Sequence, residues 1–286
     1  MPSVRDLRDR IRSLKNTQQI TKAMKQVAAA KIRRAEMLQR QSRPYADAIG
    51  AMLRDLMANV GSVDHPFMKP GREGAPAGVI LMTADKGLAG SFNANLIRMA
   101  EIHGRDHGDL AWYAIGIKSR NALRRQRGAT LQFWPLAQGD MFANARELAQ
   151  RVTDDFVGGK ISSLTLISPQ LVNMMTQRPE MRQILPVTPD RDQPKGTNVQ
   201  GAVEFEPSPE FVLGRLLPKY LEFTLYSAML ETNAAFYAAQ LIAMNNATDN
   251  AKKLIDENTV EMNKARQAAI TKEILEIVGG AEALAG

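Results

Sequence analysis

The stretch MTADKGLAGSFN at residues 82–93 has the composition of a phosphate-binding loop, because two glycines and a lysine lie between an apolar run and a helical pattern. A P-loop places its lysine directly after its last glycine, in the pattern G-x-x-x-x-G-K-[ST]. Here Lys86 comes before Gly87, and Gly90 is followed by serine and phenylalanine. The pattern therefore favours a structural turn, and a nucleotide-binding α/β protein that uses residues 84–91 is the alternative hypothesis.

His103 and His107 are four residues apart, a spacing at which two imidazoles could bind one metal ion from a single helical turn. Gly104 and Gly108 interrupt this segment, and glycine weakens a helix, so the sequence predicts a solvated loop. The third histidine, His65, is isolated, and the chain contains no cysteine. Without a Ser–His–acid arrangement or a cluster of ligands, we expect no nucleophilic catalysis, no bound metal and no cofactor.

The positive charge of the chain is concentrated near its amino terminus. The 286 residues have a net charge of +7, yet residues 1–43 alone contain twelve Lys and Arg against Asp6, Asp9 and Glu36. A local basic surface indicates an acidic partner, which could be nucleic acid, anionic lipid or an acidic protein. Residues 1–44 contain no aromatic residue for base stacking or membrane anchoring, which favours an acidic protein partner or a solvated helix face.

The chain has no apolar run near the roughly 20 residues that a membrane span requires. Its first residues, MPSVRDLRDRIRSLK, lack the apolar core of an export signal. We therefore expect neither a bilayer span nor export.

A long first helix is predicted for residues 1–58, with Ser3 and Asp6 as a capping pair. Its apolar residues recur at spacings of three and four, as in a coiled-coil seam: Val4, Leu7, Ile11 and Leu14. The apolar positions then shift in phase, to Ile20, Met24 and Val27. Pro44 and Gly50 are expected to be minor interruptions.

The middle of the chain, residues 77–205, alternates between strand and helix patterns, which predicts an α/β domain with a largely parallel sheet. The predicted strands are 78–83, 110–117, 129–134 and 163–168. The predicted helices are 92–103, 119–126 and 141–156. Residues 186–209 carry five prolines and many polar residues, so they are expected to form a connector.

A long last helix is predicted for residues 208–286, because Ser208 can cap it and Pro209 suits its first position. No glycine or proline occurs between residues 219 and 278, and Gly279 with Gly280 is expected to end the helix. A helix of this length needs a partner along one face. The sequence thus predicts two terminal helices in an antiparallel pair, with the α/β domain inserted between them.

Long segments at both ends of the chain have distinctive sequences: IRSLKNTQQITKAMKQVAAAKIRRA with SRPYA near the amino terminus, and LIAMNNATDNAKKLID with NKARQAAITKEILEIVGGAEAL near the carboxyl terminus. These segments resemble the gamma subunits of F-type ATP synthases. The loop at 82–93 is similar to the family's DRGLCG turn. The resemblance covers essentially the whole chain and implies a long antiparallel coiled coil with a Rossmann-like domain inserted between its helices.

The resemblance also implies a function. A gamma subunit is the central-stalk rotor that couples rotation of the proton-driven c-ring to conformational change in the catalytic beta subunits, without being catalytic itself. The implied partners are the alpha and beta subunits, the epsilon subunit and the c-ring. The implied location is peripheral, at the cytoplasmic face of the bacterial inner membrane.

Site residues follow from the resemblance at matching positions only. The implied contacts with the acidic region of beta are Lys22, Met24 and Lys25, and those with the catch loop of beta are Arg266 and Gln267. Arg8 and Arg12 of the basic helix are also expected to contact beta. The implied contacts of the foot with the c-ring are Phe205 and Glu206. Three residues depart from the family's common Cys, Met and Lys, in that order: Ala89, Gln26 and Asn245.

Overall fold

The computed structural model describes residues 3–59, 65–124, 130–137, 139–187 and 208–285. The helices of this part of the chain are α1 (Val4–Asn59), α2 (Phe92–His107), α3 (Ile117–Leu123), α4 (Met141–Val157) and α5 (Pro209–Ala285), with a short 3-10 helix at Pro66–Met68. The strands are β1 (Ala77–Met82), β2 (Leu110–Ile115), β3 (Thr130–Trp134), β4 (Leu164–Asn173) and β5 (Thr176–Leu185). Two compact units result, one of Met1–Ala29 with Gln240–Gly286 and the other of Ala30–Ala239. We call them the helical unit and the sheet unit.

The first helix begins with the capping box that the sequence predicts. The Ser3 hydroxyl donates to Asp6 Oδ2 over 2.7 Å, and the Asp6 backbone N–H donates to Ser3 Oγ over 3.2 Å. The Ser3 backbone N–H also donates to Asp6 Oδ2. These hydrogen bonds from Ser3 hold the pKa of Asp6 below its usual value. Donors that have no partner within the helix are thereby satisfied, which fixes where α1 starts.

In the helical unit, α1 and α5 run antiparallel. Thr248 Oγ1 donates to Thr21 Oγ1 over 2.9 Å, and Lys25 Nζ donates to Asn245 Oδ1 over 2.6 Å. A series of buried and half-buried positions of α1 keeps alternating steps of three and four: Val4, Leu7, Ile11, Leu14, Gln18, Thr21, Lys25 and Ala28. Met24 is half-buried beside this series. The facing positions of α5 keep the same steps: Met244, Thr248, Ala251, Ile255, Asn258, Met262 and Ala265.

The predicted change of phase after Leu14 is wrong. Ile20 and Val27 are 60% and 53% exposed, whereas Thr21 and Ala28 are buried. The interface keeps one register because a heptad repeat holds the same helix face toward its partner, even where that face carries polar or small residues. A prediction from apolar residues alone therefore chose the wrong helix face after Leu14.

The sheet unit contains a five-stranded sheet in the order β3-β2-β1-β4-β5. The first four strands are parallel, as the sequence predicts, and β5 is antiparallel to β4. The fifth strand was not predicted, because its sequence TQRPEMRQIL is polar and contains Pro179. Proline and polar residues are tolerated at a sheet edge, where one side of the backbone needs no strand partner.

Both faces of this sheet are covered by helices. Ile80 and Met82 of β1 lie in one core with residues of α4 and the first turns of α5, whereas Val79 and Leu81 lie in a second core with α2. Alternate residues of a strand point to opposite faces, so a β1 of uniformly apolar residues indicates a sheet buried on both sides. The last helix contributes to both cores, through Leu221 in the first and Phe236 in the second.

The last helix does not end at the two glycines that were expected to end it. It continues through Pro218 and also through Gly279 and Gly280. Pro44 likewise lies inside α1. None of the described helices has a stretch long and apolar enough to cross a bilayer.

A buried carboxylate ties the sheet to α4. Asp155, which is 3% exposed, accepts hydrogen bonds from the Tyr113 hydroxyl and Arg151 Nε, both over 2.9 Å, and lies 3.3 Å from Lys160 Nζ. Burial raises the pKa of Asp155, but the hydrogen bonds from Arg151 and Tyr113 outweigh burial and hold it below its usual value. The ionised form is therefore the one that the fold stabilises.

Replacing Leu7 by alanine is expected to lower the free energy of unfolding by about 2–5 kcal/mol, because the side chain is buried between the helices. The matched control is Ile20→Ala on the same helix, for which we expect a change within about 0.5 kcal/mol, because Ile20 is exposed. Urea unfolding, with hydrogen exchange over residues 4–29, measures both. Equal losses in the two variants would contradict the register.

Replacing Asp155 by alanine is expected to cost about 1–3 kcal/mol at pH 7, because the buried Tyr113 hydroxyl loses its acceptor. The pKa of such a carboxyl is lower in the folded protein than its value of about 3.9 in the unfolded chain. It stabilises the fold at pH values above about 3.9, and this stabilisation is lost as the pH falls through the folded pKa. The difference from wild type should therefore shrink below about pH 4. Urea unfolding at several pH values checks this, with the exposed neighbour Asp154→Ala as control; a pH-independent difference would rule it out.

Candidate partner-binding surface

The site residues implied by the family resemblance differ in exposure. Five of them are exposed on the helical unit: Arg8, Arg12, Lys22, Arg266 and Gln267. Met24 and Lys25 are half-buried beside the interface of the two helices. Phe205 and Glu206 lie outside the described residues. Any contact made by the exposed group must be with another molecule, because these side chains point away from the helix interface.

The structure does not bring these residues together in one site. They lie in two groups, at different positions along the axis of the helical unit. Arg8 and Met24 are sixteen residues apart on one helix, which is about 24 Å at 1.5 Å per residue. With Thr21 beside Thr248, the antiparallel register puts Arg266 and Gln267 beside the amino-terminal end of α1. The surface thus has one level near Arg8 with Arg266 and Gln267, and another near Lys22 and Met24.

Arg8, Lys15 and Lys22 form a basic row on one flank of α1. They are spaced by seven residues, and each directly follows a buried or half-buried interface position. In a helix whose interface repeats every seven residues, such positions stay on the same side. All three are exposed, and the row spans about 21 Å. Lys15 was not among the predicted site residues, although its spacing from Arg8 and Lys22 could have identified it.

Lys25 has a partner within the chain. Its ammonium donates to Asn245 Oδ1 over 2.6 Å, and Asn245 Nδ2 donates to Asp249 Oδ2 over 3.1 Å. Lys25 is therefore an interhelical contact in this chain, and its predicted role toward beta stays a prediction.

The carboxyl-terminal turns of α5 present apolar side chains to solvent. Exposed fractions from 49% to 71% are found at five positions: Ile270, Ile274, Leu275, Ile277 and Val278. By the register described above, α1 begins opposite a residue near 265, so these positions lie past the end of the helix pair. Every residue from 266 to 281 is exposed. A contiguous exposed apolar surface of this kind indicates contact with another molecule.

The loop at 82–93 uses its polar groups internally. The first three N–H groups of α3 are held by three successive residues: Ile117 N donates to Asp85 Oδ1, Lys118 N to the Ala84 carbonyl, and Ser119 N to Thr83 Oγ1. Asp85 also accepts from the backbone N–H groups of Leu136 and Ala137. A carboxylate of the chain thus lies at the sheet edge where an anionic ligand would have to bind, and it would repel a phosphate.

The turn before α2 is held in the same way. Asn93 Oδ1 accepts from the Ala84 N–H over 3.0 Å, and Asn93 Nδ2 donates to the Lys86 carbonyl over 3.1 Å. Leu88 and Gly90 adopt φ values of 62° and 57°, the left-handed region in which glycine is favoured. The glycine at position 90 is thus explained by the turn, as the sequence predicts.

His103 and His107 do not lie in a loop, and that prediction is wrong. α2 continues through Gly104 and ends at Gly108, whose φ is 69°. The two imidazole rings lie 4.1 Å apart between centroids on one turn of the helix. Within the described ranges, no cluster of three or more His, Cys, Asp or Glu residues could hold a metal ion.

Comparison with known proteins identifies relatives along the whole chain. A family model described as ATP synthase matches residues 3–284. The ATP synthase gamma chain of Desulforamulus reducens is 46% identical, with 99% of this chain and 100% of that relative covered. The ATP synthase gamma chain of Heliobacterium modesticaldum is 43% identical, with the same coverage.

Solved structures of similar fold come from rotary complexes. A chain of the Euglena gracilis mitochondrial ATP synthase, in its OSCP/F1/c-ring structure, matches with a TM-score of 0.67 at 17% identity, over 98% of this chain and 94% of that one. A chain of the Tetrahymena thermophila central stalk and c-ring matches with a TM-score of 0.60 at 23% identity, over 80% and 99%. At these identities the likeness concerns the fold alone.

Replacing Asp85 by alanine is expected to lower the free energy of unfolding by about 1–3 kcal/mol, because the N–H groups of Ile117 and Leu136 lose their acceptor. The control Lys86→Ala, in the same loop, should stay within about 0.5 kcal/mol, because Lys86 is exposed. Urea unfolding measures both. Saturable ATP binding in equilibrium dialysis that Lys86→Ala removes would instead support a phosphate-binding loop.

Proposed function

The chain belongs to the family of ATP synthase gamma chains, and from that premise we propose that it is the central-stalk rotor subunit of an F-type ATP synthase. The observation that carries the proposal is the carboxyl-terminal part of α5, which extends past the end of α1 and exposes apolar side chains such as Ile274 and Ile277. Twenty residues beyond 265 make about 30 Å of helix. Such a segment suits a shaft whose end is enclosed by other subunits.

The helical unit supplies the properties that a shaft needs. Its interface repeats every seven residues on both helices, which supports a left-handed antiparallel coiled coil. Small residues such as Ala28 and Ala251 are buried at this interface, where they add little bulk to the pair. The exposed surface is asymmetric, because the basic row Arg8, Lys15 and Lys22 follows one flank of α1.

The proposed mechanism is mechanical rather than chemical. Rotation of the c-ring turns the foot of the shaft, and the asymmetric helix pair then presents different faces to the three catalytic beta subunits in succession. Each beta subunit changes conformation in response. Rigid-body rotation of the shaft thereby couples the c-ring to the distant catalytic sites of beta. In this proposal the gamma chain is non-catalytic, and its location is peripheral, at the cytoplasmic face of the bacterial inner membrane.

We assign each partner contact from the chemistry of the side chain and from its position along the helix pair. The basic row, with Arg12, faces acidic segments of beta, while Met24 contributes an apolar contact at the level of Lys22. Arg266 and Gln267 lie at the level of the amino-terminal end of α1, where their exposed side chains can hydrogen-bond a loop of beta. Phe205 and Glu206 are proposed for the foot, with the epsilon subunit and the c-ring as partners.

The sheet unit is proposed to be a Rossmann-like domain that serves as part of this foot. Four parallel strands with helices on both faces support that description. A Rossmann-like sheet does not by itself imply nucleotide binding, since function depends on the residues of the site. Asp85 at the carboxyl edge argues against the alternative of a nucleotide-binding protein that uses residues 84–91.

Assembly with the alpha and beta subunits tests the proposal directly. The wild-type chain should form a stable complex with them and change the rate of ATP hydrolysis. In the full synthase, the variant R8E/K15E/K22E should reduce protons pumped per ATP by roughly threefold to tenfold, because interfacial ion pairs of up to about 1 kcal/mol each become repulsive.

The matched control is R8K/K15R/K22R, which changes the same three exposed side chains but keeps their charges. We expect this control to pump as wild type does, and both variants to keep the wild-type unfolding temperature. A chain that forms no complex with alpha and beta would overturn the proposed function. A basic-row variant that pumps normally would overturn the assignment of Arg8, Lys15 and Lys22.

A further inference from the structure

We propose that His103 and His107 form a two-ligand binding site for a divalent transition-metal cation that prefers imidazole, such as Zn²⁺, Ni²⁺ or Cu²⁺. The two residues are four apart on α2, so their side chains project from the same side of the helix, one turn apart. Imidazole is a favoured ligand of all three cations. The site lies in the sheet unit, and the inference does not depend on the proposed rotor function.

The distance between the rings suits one shared cation. Their centroids are 4.1 Å apart and their planes are inclined by 34°. Two nitrogens that bind one Zn²⁺ at about 2.0–2.1 Å each lie about 3 Å from one another. Rings at the observed separation reach that geometry by small side-chain rotations, without any change of the helix backbone.

A backbone contact prepares His107 for ligation. Its Nδ1 lies 3.0 Å from the carbonyl oxygen of His103. In the neutral ring, Nδ1–H donates to that carbonyl, which leaves the lone pair on Nε2 free to bind a cation. A ligand histidine that donates its other N–H to a carbonyl or carboxylate is the usual arrangement in protein metal sites.

The groove beside the two rings carries charges of both signs. Arg98 and Asp106 supply one charge of each sign along the same groove. A divalent cation therefore does not enter a region of uniformly positive charge.

The two histidines would leave some ligand positions of a bound cation open toward the groove. The rings border an open groove of about 450 Å³ between α2 and β5, whose further lining includes Met99, Ile102 and Met181. Since the described residues provide no cluster of three or more His, Cys, Asp or Glu ligands there, water fills the remaining positions. This predicts an exchangeable site of moderate affinity rather than a structural metal centre.

Calorimetric titration of the untagged full-length chain with ZnCl₂, and separately with NiCl₂, tests the proposal. We expect one equivalent to bind, and His103→Gln or His107→Gln to weaken binding at least ~10-fold, because the remaining imidazole loses the advantage of a second, intramolecular ligand. Glutamine suits a helix, and far-UV circular dichroism verifies that each variant folds. His65→Asn is the control, since asparagine can still accept the hydrogen bond from Phe67 N.

Nitrogen NMR of the three imidazoles gives a second readout. Added Zn²⁺ should shift ring nitrogens of both His103 and His107 at the same saturation, and leave those of His65 unchanged. Shifts at only one of the two rings would overturn the two-ligand site. The proposal would also fail if the wild-type chain showed no saturable binding, or if the double variant His103→Gln/His107→Gln bound zinc as the wild type does.

Discussion

The packing of α1 against α5 is the interaction on which both units depend. In the helical unit it joins Thr21 to Thr248 and Lys25 to Asn245. In the sheet unit, the ring of Tyr45 lies 4.1 Å from that of Phe223, and Lys31 Nζ lies over the ring of Tyr237. These partners are separated by some 180 to 230 residues of sequence. The helix pair therefore forms only when the chain between them allows both ends to meet, which makes its formation a long-range event.

The composition of this interface changes along the pair. In the sheet unit, residues of α5 such as Leu221 and Phe236 are buried in two apolar cores. In the helical unit, the buried interface residues include threonine, alanine and asparagine, such as Thr21, Ala28 and Asn258. Apolar burial per residue is therefore smaller there, and side-chain hydrogen bonds contribute to specificity more than to total stability. A slender pair with its charges outside is what an enclosed shaft requires.

In the sheet unit, the carboxyl edge of the parallel strands is closed by hydrogen bonds within the chain. Helix amino termini and glycine turns at the carboxyl edge of a parallel sheet attract anions in general. Here Asp85 and Asn93 occupy the backbone groups that a phosphate would use. The same hydrogen bonds join the loop after β1 to α3 and to the residues after β3.

The sequence by itself determined the family, the capping box at Ser3, the four parallel strands and the two terminal helices. These depend on local chemistry, since caps, turns and apolar runs are specified by neighbours in the chain. The domain limits at 58, 77, 205 and 208 stay predictions. Only the tertiary structure decided that Thr21 rather than Ile20 faces the partner helix, that the polar β5 joins the sheet, and that His103 and His107 share a helical turn. Thr21 is buried by a helix that is distant in sequence, and β5 is held by its position at the sheet edge. The helix that carries the two histidines tolerates its glycine because α2 packs on the sheet.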